Sequence, residues 1–154
     1  MNEINIDYKI ILLIISIVFN IYFYIQNRKF IVDKSIDDTL LKIQDLSFNN
    51  PFLEDKKFIA GWNDFKNEYL ANNTYDESEK TKKYLQYEKY CEMLFNLVSH
   101  TYYHKKSEDK MLAIIEFKSW VRTHRDWWNN PLETHSNHDT YDKKVTQIID
   151  EWVK

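Results

Sequence analysis

The chain of 154 residues has one glycine, Gly61, two prolines, Pro51 and Pro131, and one cysteine, Cys91. Each scarcity excludes something. Tight hairpins and phosphate-cradling loops need glycine where φ is positive, so Gly61 alone supports neither a dinucleotide-binding fingerprint nor a P-loop. So few helix breakers predict long helices instead. A lone cysteine makes no internal disulfide and no thiolate zinc site by itself, which fits a reducing compartment. No charge sign dominates either: 21 Lys and Arg face 24 Asp and Glu, for a formal net charge of -3. The basic residues are interspersed with acids and set up no field for a phosphate backbone, so nucleic acid is not an expected partner.

What the chain does have is an uncharged run over 10–25, IILLIISIVFNIYFYI, whose non-aromatic polar residues are Ser16 and Asn20. As a helix these residues rise about 24 Å, and Tyr8 and Phe30 complete a hydrocarbon core of about 30 Å. Tyr22 and Tyr24 suit an interfacial belt. A cleaved signal peptide needs small residues at its cleavage site, and 19–32 contains none. The run therefore predicts a single transmembrane helix over 10–27, with the lipid bilayer as one partner. Lys9 stands alone before it, whereas Arg28, Lys29 and Lys34 follow, which places the positive side in the cytoplasm. The expected organisation is a short extracytoplasmic N-terminus at 1–9, the span, a basic juxtamembrane linker at 28–34 and a cytoplasmic helical domain at 35–154. Asn20 offers a hydrogen bond to a partner helix, so homo-oligomerisation through the span is a further reading.

All five tryptophans follow the span, which gives that domain the means to bury a core. Ser35 resembles an N-cap for a short helix carrying Ile36, Leu40, Ile43 and Leu46, ended near Asn49 to Pro51. Pro51 then opens a second helix to Leu70, in which Gly61 permits close packing or a break. A third starts after Thr74 or Asp76 and reaches Lys105, with Tyr84, Tyr87, Cys91, Leu94, Val98 and Tyr102 on one face. Ser107 caps a fourth, from Met111 through Trp128 to Asn129, and Asp139 or Thr140 caps the last, with Val145, Ile149 and Trp152. The fold class is all-α, an N-terminal transmembrane helix followed by a four- to five-helix antiparallel bundle. No heptad is sustained enough to demand an extended coiled coil.

The densest chemical constellation is Trp120 to Trp128. Arg122, His124, Arg125 and Trp127 form a candidate binding surface in which the cations meet a phosphate or an RNA backbone, an indole stacks on a base or an arginine, and Trp127 offers a partner contact. The structural alternative packs Trp120, Val121 and Trp128 inside, pairs Arg122 with Asp126 and leaves Trp127 at a rim. His100 and His104, four apart on the third helix, are a candidate metal pair that needs further ligands. His135 and His138 lie in a polar loop. No cofactor is expected. Two functional readings follow: a non-enzymatic, membrane-anchored protein-interaction or scaffolding module, or a membrane-tethered nuclease-like or metal-dependent effector using the Arg and His residues of the third and fourth helices.

Two resemblances bear on these readings. The anchor-plus-helices plan resembles that of membrane-anchored HEPN-type ribonucleases. That family's arginine, followed several residues later by histidine, is not matched by Arg28, Arg122 or Arg125, so no catalytic residue carries over. Asn50 to Leu53, the aromatic stretch from Tyr90 to Tyr103, and Trp127-Trp128 followed by Tyr141 are similar to uncharacterised single-pass membrane-anchored helical proteins of bacteria and viruses. That similarity implies a helical fold and no activity.

Overall fold

A computed structural model describes residues 8–72, 78–133 and 135–154, and every regular element among them is helical. Residues 1–7 of the expected extracytoplasmic segment, and Thr74 and Asp76 as starts of the third helix, lie outside the described residues. The chain divides into two units, Met1–Asp37 and Asp38–Lys154.

The first helix, α1, runs over Tyr8–Asn49, 42 residues without a glycine or proline. Ser35 and the expected linker at 28–34 are both inside it. A serine caps a helix only where the preceding chain is non-helical, and nothing upstream of Ser35 breaks the hydrogen-bond ladder. Asn50 stands before Pro51, which disfavours the α conformation, and the helix stops there. One apolar window of α1 near the N-terminus is long enough to cross a membrane. Its side chains are bare: Leu12 is 60% exposed, Leu13 61% and Phe19 57%.

The unit Asp38–Lys154 contains a 3-10 turn at Pro51–Glu54, then α2 (Lys56–Ala60), α3 (Trp62–Asn72), α4 (Glu79–Lys105), α5 (Glu108–Leu112), α6 (Phe117–Thr123), α7 (Arg125–Asn129), α8 (Asn137–Thr140) and α9 (Lys143–Trp152). The sequence explains most of these ends. Asp55 caps α2 by accepting from the Phe58 N–H at 2.8 Å, which separates α2 from the 3-10 turn. Ser78 caps α4 through the Thr81 N–H at 3.2 Å, and Asp142 caps α9 through the Lys144 N–H at 2.8 Å. The last helix thus begins after Asp142, while Asp139 and Thr140 belong to α8. At its C-terminus α4 closes on Lys106 in the left-handed conformation, φ 53°.

The expected second and fourth helices are each broken into pieces. Gly61 divides α2 from α3 without using positive φ; its value is -81°. The reason for glycine is space, because a Cβ there would meet the Tyr84 hydroxyl oxygen at 2.3 Å. The fourth is interrupted over 113–116 and again at His124. Around these pieces α4 is the packing centre, against α3, α5, α6 and α9. It is embedded on more than one face: Tyr87, Tyr90, Cys91, Leu94, Leu97 and Val98 are all buried. Phe58 and Phe65 stack on Tyr84 at 4.2 and 4.5 Å, and Trp127 and Trp128 stack on Phe95 at 5.1 and 5.0 Å.

Candidate functional site

The polar centre of the domain is built from three segments. Glu54 ends the 3-10 turn, Tyr87 and Tyr90 project from α4 one turn apart, and Trp120 and His124 come from α6 and the break after it. Glu54 Oε1 accepts from the Tyr90 hydroxyl, from Trp120 Nε1 at 2.7 Å, and lies 3.3 Å from His124 Nε2. The other imidazole nitrogen, Nδ1, lies 3.0 Å from the Tyr87 hydroxyl. An ionised carboxylate only accepts, so Nε2 carries the proton towards Glu54 and, in the neutral ring, Nδ1 accepts from Tyr87. The non-helical backbone of His124, φ -102° and ψ 22°, is where its helix gives way.

Electrostatics follow from that arrangement. Burial raises the Glu54 carboxyl, but His124, Tyr90 and Trp120 together more than offset it and hold the group below its usual range. Burial raises the phenols of Tyr87 and Tyr90, and Glu54 beside Tyr90 adds to the effect. Burial also raises the thiol of Cys91, which keeps it a poor nucleophile. Carboxylate, imidazole and hydroxyl stand in the order of a nucleophile-activating triad. The hydroxyl, however, is the fully enclosed Tyr87, and the imidazole is also 0% exposed. Of these three groups, Glu54 alone reaches the surface, with its side chain 36% exposed. What the arrangement does chemically is lock the 3-10 turn, α4 and the α6–α7 junction together.

Another carboxylate, Glu88, is buried and accepts from Trp127 Nε1 at 2.5 Å and from the Leu132 N–H at 3.3 Å. Burial raises its carboxyl in spite of both bonds. Glu88 and Trp127 form the inner wall of a cleft of about 200 Å³ that Glu92, Glu133, His135 and Tyr141 also line. Another hollow, about 310 Å³, lies between Tyr102, Tyr103 and Lys106 of the α4 terminus and Lys144 and Val145 of α9.

The four residues of the candidate binding surface part company. His124 is in the core, and Trp127 is 2% exposed rather than at a rim, because Phe95 stacks with both adjacent indoles and draws both inward. Arg122 and Arg125 are exposed. Arg122 does not pair with Asp126 as expected; its Nε donates to the Trp152 carbonyl at 3.1 Å, while Arg125 Nε lies 3.7 Å from Asp126 Oδ1. His100 and His104 do face each other, Nε2 to Nε2 at 3.1 Å, and among the described residues no group of three or more His, Cys, Asp or Glu is placed to hold a metal. They lie about 15 and 21 Å beyond Tyr90 along α4, far from His124. His138 pairs with Asp150 at 2.9 Å.

Sequence reasoning missed the acids. Glu54 and Glu88 carry no motif, and their burial has no signature in a chain rich in charged residues. The indoles were the available signal, since each buried N–H demands an acceptor. Comparisons with protein-family models, curated proteins and solved structures find no match to this chain.

Proposed function

We propose that this is a single-pass membrane protein whose N-terminus lies outside and whose helical domain works in the cytoplasm as a non-enzymatic protein-interaction module. The observation that carries the reading is the bare apolar window of α1. A helix that presents Leu, Ile, Val and Phe on every side is costly in water at about 25 cal/mol per Å² of apolar surface and suits hydrocarbon. The orientation rests on Arg28, Lys29 and Lys34 following the window against Lys9 before it. The contact residues are Arg122 and Arg125, exposed on either side of the His124 break and suited to a carboxylate-bearing partner surface. His124 and Trp127 support that face from beneath.

The test uses the full chain in cells. Alkaline carbonate should leave it in the membrane, and protease added outside sealed cells should spare the domain. Arginine at both Ile14 and Ile17 costs about 2.5–3.5 kcal/mol per residue at a helix centre and should release the protein. Extraction of the unaltered chain by carbonate, or cleavage of the domain from outside, contradicts the reading. Glu at Arg122 and Arg125 together should abolish partner capture while leaving the domain folded.

A further inference from the structure

We infer that the span pairs in parallel with a second copy of itself, along a seam centred on Asn20; this rests on the membrane reading above. Within α1, Ser16, Asn20, Phe23 and Asn27 fall within about 60° of arc at 100° per residue. The opposite face is Ile11, Ile14, Val18, Ile21, Tyr22 and Ile25, aliphatic and β-branched apart from Tyr22. The helix is therefore two-sided in a medium that rewards only one of its sides. Isoleucine and valine face lipid without loss, whereas a carboxamide in hydrocarbon seeks a hydrogen-bonding partner on another helix. Ser16, Asn20 and Asn27 are all exposed on the single helix.

The spacing matches a two-stranded seam. Leu13, Asn20 and Asn27 recur every seventh residue, and Ser16, Phe23 and Phe30 follow each by three, which is the alternation of the two inward positions of a heptad. The occupant follows from chemistry. Copies inserted under one charge rule share an orientation, so they pair in parallel, and a parallel twofold seam sets each residue against its own counterpart. A carboxamide both donates and accepts and is its own complement, whereas a carboxylate or an ammonium in that place would repel itself. Asparagine at such an inward position also fixes register and oligomer state.

The experiment reads resonance energy transfer between copies of the purified full chain, carrying donor or acceptor dye after Lys154, in phosphatidylcholine vesicles diluted with lipid. A saturable two-copy isotherm is expected. Asn20→Ala should weaken it about three- to twentyfold. Asn20→Gln, which keeps the carboxamide, should retain most of the association, and Ile14→Ala on the aliphatic face should leave it unchanged. No transfer from a protein that still resists carbonate extraction overturns the pairing and leaves the anchor standing. Loss of the protein from the vesicles removes the membrane reading on which the pairing rests. Equal affinities for the unaltered chain and Asn20→Ala overturn the seam.

Discussion

Replacing Gly61 by alanine should be among the costliest single-methyl additions in this protein. The backbone raises no objection, since φ is -81°, and fewer unfolded conformations would favour alanine by about 0.4–1 kcal/mol. The new Cβ, however, would lie 2.3 Å from the Tyr84 hydroxyl oxygen. That hydroxyl is no loose end. It donates to the Phe58 carbonyl at 2.9 Å, and its ring is stacked by Phe58 and Phe65 and only 6% exposed. Relief requires moving the ring, which loses a hydrogen bond of about 1 kcal/mol and overpacks the stack by about 1–3 kcal/mol. The net loss should be about 2 kcal/mol, or roughly 8 °C in midpoint for a domain this size. Equilibrium unfolding of the full chain in detergent, followed by tryptophan fluorescence, measures it. The decisive control is Tyr84→Phe, which deletes the offending oxygen and leaves Tyr84 Cζ at 3.5 Å and the Phe58 carbonyl at 3.4 Å as ordinary or slightly tight neighbours. In that background Gly61→Ala should cost close to nothing. An equal loss in both backgrounds, or a loss below about 0.5 kcal/mol in the first, would refute the steric explanation.

The polar centre gives further predictions. His124→Ala removes two hydrogen-bonded partners and leaves a cavity, so it should lower stability by about 3 kcal/mol in a urea titration. Glu54 is held below its unfolded value, so its contribution is present above that value and is lost as pH falls through the folded one. Glu54→Gln should therefore be weakest relative to the unaltered chain at neutral pH, with the gap closing under acid. Glu88, held high, has the opposite sign: its contribution is present at low pH and is lost as pH rises through its folded value. Stability of Glu88→Gln relative to the unaltered chain should accordingly improve on going from acid to neutral in the same titration. Cys91, fully enclosed, should ignore an aromatic disulfide reagent until denaturant is added, and prompt labelling of the native chain would contradict its burial.

Much of the fold was written in periodicity. The apolar window, the long aromatic α4 and the terminal helix ending at Trp152 all follow from spacing, as does the stop at Pro51. Helix interruptions were less legible because they arise from tertiary demands. Gly61 signalled its break, whereas the break at His124 has no glycine or proline to announce it and serves an imidazole bonded to Glu54, 70 residues away. Ser35 misled for the converse reason: its capping pattern lies within an uninterrupted ladder. Of the candidate surface, Arg122 and Arg125 lie outside and His124 and Trp127 inside. A cluster in sequence places successive residues about 100° apart around a helix, so contiguity alone argues against a common face.

All five indole N–H groups find an acceptor: Trp62 the Asn130 carbonyl, Trp120 Glu54, Trp127 Glu88, Trp128 Asp150 and Trp152 Glu108. Four of those acceptors are carboxylates, and this joins the fate of residues far apart in the chain. Phenylalanine in place of Trp127 strands an acid in the interior, and leucine in place of Glu88 strands a donor, so neither change is tolerated alone. The acceptable route passes through both together. Wherever this domain has diverged, Trp127 and the buried Glu88 should be exchanged as a couple, leaving a record of correlated substitution at 88 with 127, whereas Glu54, Asp150 and Glu108 reach solvent and keep other partners.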